Sequence, residues 1–280
     1  MNNKILLGSD DLLALSASGK CSVVDCRFDL ADIHRGRSQW LEGHIPGADY
    51  AHLDDDLSSP VEAHTGRHPL PQTQAFARFL SRIGWAEDRL LVAYDEGYGA
   101  YAVRLWWLMR YYGKPAAILD GGLAAWKASG YGLEAGETLA KATEVPSLQA
   151  DDSMAVSTET LSHALGDFTV IDARASDRFS GKVEPLDTRA GHITGALNRP
   201  FGSNLRLNGR FKEPAALKKE FQALLGQAPL EGVVHSCGSG VTACHNLFAM
   251  ELAGLGGTKI YPGSWSEWIR DPARPCATGP

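Results

Sequence analysis

Short aliphatic runs and longer amphipathic stretches alternate along the whole chain. Apolar, mostly β-branched or aliphatic runs stand at 23–24, 90–94, 169–171 and 232–235. Apolar positions recur at helical spacing over 74–83, 100–112, 214–225 and 242–252. Short runs followed by helix-length stretches predict strand–helix units, and such alternation predicts α/β architecture: a mostly parallel sheet with helices on both faces. The apolar pattern fades between 133 and 155, a stretch rich in Ala, Glu, Thr and Asp. We therefore divide the chain into a domain over 1–135, a linker over 136–155 and a second domain over 156–280.

The pattern occurs twice. Val23-Val24-Asp25-Cys26-Arg27 returns as Val170-Ile171-Asp172-Ala173-Arg174. Gly43-His44-Ile45-Pro46-Gly47-Ala48 returns as Gly191-His192-Ile193-Thr194-Gly195-Ala196, a shift of 148. Leu119-Asp120-Gly121-Gly122 with Trp126 returns as Ile260-Tyr261-Pro262-Gly263 with Trp268, a shift of 142. Three blocks in one order, each copy well over about 100 residues, mark a domain duplication and not a solenoid. The Asp-x-Arg of the first block occurs in both copies, which points to a structural ion pair at Arg27 and at Arg174.

One stretch carries chemistry that its counterpart lacks. Val233-Val234-His235-Ser236 runs into Cys237-Gly238-Ser239-Gly240-Val241-Thr242-Ala243 and then into a helical pattern. This puts a thiol at a strand end and at the mouth of a helix. Successive N–H groups of such a loop form an anion-binding nest. The helix N-terminus adds up to ~2 kcal/mol, enough to lower a thiol pKa by about one unit. Thiolate is the nucleophilic form. A buried structural cysteine would also suit a core strand, but a packed strand has no use for glycines on both sides of Ser239. At the 142 shift, Cys237 falls on Asp95, so the first half has a carboxylate where the second has the thiol and is expected to be catalytically silent.

The loop Cys237 to Ala243 resembles the active-site loop of rhodanese-like sulfurtransferases, the tandem-domain family that uses 3-mercaptopyruvate or thiosulfate. The resemblance covers nearly the whole chain and implies two rhodanese-like domains with the site in the cleft between them. It implies that Cys237 carries a persulfide within the nest of Gly238, Gly240, Val241 and Thr242. The family joins the loop serine to a histidine before a Leu-Pro step and to an aspartate after the Gly-His-Ile-Pro-Gly-Ala block. Here those places hold Ser239, His68 and Asp54, with Asp55 or Asp56 as substitutes if the alignment slips. Such a set handles protons by the logic of a catalytic triad. Arg178, in Asp177-Arg178-Phe179, matches the arginine that the family uses on its donor. A second arginine is expected directly after a Glu-Pro step, but Glu184-Pro185 is followed by Leu186. Arg189 is the nearest replacement.

A neutral Gly238-Ser239 and a proton relay suit 3-mercaptopyruvate, whose leaving enolate must gain a proton; thiosulfate leaves as sulfite and needs none. The expected activity is transfer of sulfane sulfur from 3-mercaptopyruvate to cyanide, a small thiol or a reduced protein thiol, with thiosulfate:cyanide transfer as the alternative. A persulfide carrier without turnover is the rival from another class. A cysteine phosphatase would need an arginine where Ala243 stands.

Composition narrows the partners. The net charge of −6 and the lack of a basic stripe argue against nucleic acid. No apolar stretch approaches the ~20 residues of a membrane span. Asp10-Asp11 follow too soon after the start for a signal peptide, so a cytoplasmic location is expected. Five cysteines without a Cys-x-x-Cys pair suggest neither a disulfide framework nor zinc. Cys244 is expected to be packing. His235 and His245 are expected as a strand residue turned from the loop and a helix-surface residue. No metal and no cofactor are implied.

Overall fold

A computed structural model describes residues 4–138 and 140–280, which gather into two compact units. The first unit contains the chain up to Ser59, Leu70–Asp151 and Leu207–Arg210. Its strands are β1 (Leu6–Leu7), β2 (Cys21–Asp25), β3 (Asp49–Tyr50), β4 (Leu90–Tyr94) and β5 (Ala116–Leu119), in the spatial order β1-β5-β4-β2-β3 and parallel throughout. β2 and β4 read as near-continuous apolar runs because a parallel sheet is covered on both faces. The helices are α1 (Ser9–Ala17), α2 (Arg35–Glu42), α3 (Thr73–Arg82), α4 (Ala102–Tyr111) and α5 (Gly122–Ala128). α3 buries Phe76, Phe79 and Leu80 along one stripe. α4 is buried on nearly all sides, Trp106 and Trp107 included, so it lacks a broad polar face, and only Arg104 and Arg110 interrupt its apolar run.

The second unit contains Pro60–Pro69, Asp152–Arg206 and Phe211–Pro280. Its strands are β6 (Thr169–Asp172), β7 (His192–Ile193), β8 (Leu197–Asn198), β9 (Val233–Ser236), β10 (Lys259–Ile260) and β11 (Cys276–Ala277). A parallel sheet runs β10-β9-β6-β8, and β7 pairs separately and antiparallel with β11. The helices are α6 (Thr158–His163), α7 (Ser176–Phe179), α8 (Pro214–Leu225), α9 (Ala243–Leu252) and α10 (Ser264–Trp268). Residues 140–151 have no regular secondary structure. Two segments thus depart from a division by sequence order: 60–69 packs with the second unit and 207–210 with the first. No helix among the described residues is long and apolar enough to cross a membrane.

The repeated blocks have a structural meaning. Arg27 clasps Asp25 through Nε and Nη2 and donates from Nη2 to Gly43 O at 2.8 Å. Arg174 clasps Asp172 in the same way and donates to Gly191 O at 2.7 Å. In each unit the first block is tied to the second, and both ion pairs are buried. Burial works against the charge on Arg174, but Asp172 and Glu184 outweigh it and raise the guanidinium pKa. These arginines are structural, as their repetition predicts.

Candidate active site

Cys237 follows β9 directly, and α9 begins six residues later. The sulfur accepts hydrogen bonds from the backbone N–H of Ser239 at 3.4 Å and of Gly240 at 3.2 Å. Cys237 is 2% exposed. Gly240 has φ +78°, and a Cβ there would lie 2.3 Å from Pro262 O. A side chain at 240 would therefore need both an unfavourable backbone conformation and a displaced backbone neighbour. The following turn pins the loop from the other side. Trp265 N–H donates to Cys237 O and Ser266 N–H to Gly238 O. Ser264, at φ 52°, accepts the Cys237 N–H on its Oγ at 3.1 Å and donates to Tyr261 O at 2.9 Å.

The segment 60–69 brings the next groups. His68 Nδ1 lies 2.7 Å from Ser239 Oγ, and both side chains are buried. The segment is anchored by Gly66 N–H to Glu267, Arg67 N–H to Ser266 Oγ at 3.0 Å and Arg270 Nε to Thr65 O at 3.2 Å. Gly66 is required here, since a Cβ would fall 2.6 Å from Gly263 O. Asp54 belongs to the first unit, half-buried in the loop after β3. Of its possible substitutes, Asp56 is committed to Arg82 at 2.6 Å and to the His52 N–H at 2.8 Å, and Asp55 is largely exposed.

Arg178 sits on α7 and donates from Nη2 to Glu184 Oε1 at 2.7 Å and to Asp187 Oδ2 at 3.1 Å. The other oxygen of Asp187 pairs with Arg67 Nη1. A Cβ at Gly238 would meet Arg67 Nη2 at 2.9 Å and Arg178 Nη1 at 3.6 Å, so both guanidiniums overhang the residue next to Cys237. Burial raises the Asp187 pKa against the pull of Arg67. Burial also opposes charge on Glu184, but Arg178 and two backbone N–H groups outweigh it and lower that pKa. Leu186 is exposed. Arg189 is exposed too; its carbonyl accepts from the Trp265 indole, and its charge acts on Cys276.

Other expectations need revision or gain a partner. His245 is not on the helix surface: it is fully buried, stacked on Phe211, with Nδ1 3.1 Å from Asn204 Nδ2. His235 is also fully buried, with Nε2 3.1 Å from Thr258 Oγ1, and burial pushes its pKa down to about 3. Cys244 Sγ contacts Gly240 O at 3.5 Å, a packing position in the first turn of α9. Sequence reasoning passed over Arg67, Glu184 and Asp187 as parts of one cluster, because no local spacing joins 67 to 187. The family resemblance marked His68 in that region, but nothing in it pointed to the neighbouring Arg67.

A thiol that accepts loop N–H hydrogen bonds at the end of a parallel strand, on a duplicated α/β frame, is an arrangement suited to carrying a group on sulfur. The comparisons agree with this class. The rhodanese-like domain matches residues 9–129 and again 157–271. A Pseudomonas aeruginosa protein named "probable 3-mercaptopyruvate sulfurtransferase" is 47% identical over the full length of both chains. A chicken thiosulfate sulfurtransferase is 31% identical over 88% of this chain and 86% of its own. The solved 3-mercaptopyruvate sulfurtransferase from Leishmania major superposes with a TM-score of 0.84 at 32% identity, covering 96% of this chain and 75% of that one. The chain belongs to the rhodanese-like family, with two such domains in tandem. It is a sulfurtransferase.

Proposed function

We propose that the enzyme takes its sulfur from 3-mercaptopyruvate and stores it as a persulfide on Cys237. The observation that carries this reading is the 2.7 Å approach of His68 Nδ1 to Ser239 Oγ beside the Cys237 nest. Cys237 thiolate attacks the donor sulfur, a new S–S bond forms and the donor C–S bond breaks. The electron pair passes to the methylene carbon as an enolate. The proton of the donor thiol is relayed through Ser239 and His68 to that carbon, and pyruvate leaves. General acid–base help of this kind contributes about 10²–10⁴-fold. Asp54 completes the relay by family resemblance. Cyanide or a thiol, small or on a protein, then removes the outer sulfur and restores the thiolate. Ping-pong kinetics follow.

The test is intact-protein mass after brief exposure to 3-mercaptopyruvate or to thiosulfate, each followed by cyanide, with Cys237→Ser as control. We expect a one-sulfur gain from 3-mercaptopyruvate that cyanide erases and the variant never shows. A gain from thiosulfate alone would overturn the donor and leave the nucleophile standing. No gain from either would replace turnover by a carrier role.

A further inference from the structure

Leu186 leaves the donor site one arginine short of the number the family resemblance predicts, and the nearest sequence candidate, Arg189, is exposed, with its carbonyl held by the Trp265 indole. Yet a second guanidinium does overhang the loop. We propose that Arg67 is that missing donor-binding residue, and that Asp187 holds it beside Arg178 as a two-armed anion clamp. This inference rests on the reading of Cys237 as the sulfur acceptor from an anionic donor.

The geometry supports the assignment in three ways. Asp187 gives one oxygen to Arg67 Nη1 and the other to Arg178 Nη2, so a single buried carboxylate fixes the spacing of both forks. A second nitrogen of the Arg67 head, Nη2, hangs over Gly238, one residue from Cys237, and Arg178 Nη1 hangs beside it. Gly238 lets Arg67 come this close, since an added Cβ would meet its Nη2 at 2.9 Å. Planar guanidiniums pre-set in this way suit bidentate capture of a carboxylate. The charges also balance: three guanidiniums (Arg67, Arg174, Arg178) meet three carboxylates (Asp172, Glu184, Asp187). A cluster with no surplus positive charge favours a singly charged carboxylate donor over a dianion. The backbone of the 60–69 segment is anchored independently by Gly66 and Arg67 N–H, so its place does not depend on the Arg67 side chain.

The experiment is single-turnover persulfide formation on Cys237, followed by mass, against 3-mercaptopyruvate concentration. It compares the full-length enzyme with Arg67→Gln, Arg67→Lys and Arg189→Gln. Losing charge-assisted hydrogen bonds should raise the half-saturating donor concentration of Arg67→Gln about tenfold or more, with the maximal rate changed far less. Arg67→Lys, with charge but no fork, should fall between. A merely structural role would lower the thermal midpoint without this split. The inference is overturned if Arg67→Gln saturates at the wild-type concentration, if only its maximal rate falls, or if Arg189→Gln carries the loss instead. Failure of the wild-type protein to load from either donor would instead remove the functional reading on which the clamp rests, and the clamp with it.

Discussion

At the end of β4, Asp95 turns its carboxylate back into its own loop. Oδ1 accepts the N–H groups of Gly97 and Gly99, and Oδ2 those of Tyr101 and Ala102, at 2.9–3.3 Å. At the end of β9, the Cys237 sulfur stands in that place and takes the N–H groups of Ser239 and Gly240. The turns that brace the two loops also correspond. Leu123 N–H donates to Asp95 O as Trp265 N–H does to Cys237 O, and Ala124 to Glu96 as Ser266 to Gly238. Duplication therefore preserved an anion-binding frame, and the two copies differ in what fills it. One loop is filled by a carboxylate side chain of its own, whereas in the other a thiol sulfur takes that place. The bracing position differs as well. Gly122 takes φ 54° without a side chain, while Ser264 takes φ 52° with one. A left-handed serine costs about 1–2 kcal/mol, which its hydrogen bonds to the Cys237 N–H and the Tyr261 carbonyl help to offset.

The comparison can be broken most severely by making the second loop a copy of the first. Cys237→Asp should keep the fold, with a thermal midpoint close to wild type, because a carboxylate can accept the loop N–H groups. Sulfur transfer should fall to background, a loss of at least about 10⁴-fold. A variant that retained measurable turnover would show that the thiol is not the carrier. In the opposite direction, Asp95→Ala strips the first loop of its anion and leaves four donors without an acceptor. Chemical denaturation should report a loss of about 3 kcal/mol, with transfer per folded molecule unchanged. An unchanged midpoint would mean that water replaces the carboxylate at no cost.

The smallest effect concerns the central strands. Ala93 pairs with Val24 and Ile118, and His235 occupies the matching place between Ile171 and Ile260. Burial lowers the His235 pKa from 6.5 to about 3, so its neutral form is the one that folding favours. The stability this provides is complete above pH ~6.5 and is lost as pH falls toward 3, by up to about 1.4 kcal/mol per pH unit. His235→Ala, which reproduces the first unit, should flatten the stability curve between pH 6.5 and 4.5. An equally steep decline in the variant would assign the acid sensitivity to other groups.

Much of this was legible in the chain. The repeat of Asp25-Cys26-Arg27 as Asp172-Ala173-Arg174 revealed both the duplication and the structural ion pairs, since each pair spans only two residues and ties to the next block. The Cys237 loop declared itself by its glycines, whose close approach to Pro262 and to Arg67 a larger residue would not allow. The clamp was not legible. Arg67 and Asp187 are 120 positions apart, and their union depends on where segment 60–69 packs. His245 was misplaced for a related reason: helical spacing sets its angle on α9 but not the arrival of Phe211 and Asn204 over it.

The wandering of residues 60–69 bears on how this molecule could be taken apart. The histidine beside Ser239 and an arginine that overhangs Gly238 are encoded upstream of most of the first unit, yet they pack with the second. A gene cut at the midpoint would therefore yield a C-terminal fragment that keeps Cys237 but lacks the His68 and Arg67 side chains that pack beside its loop. The two halves are consequently bound to one reading frame by ten residues on the opposite side of the cut.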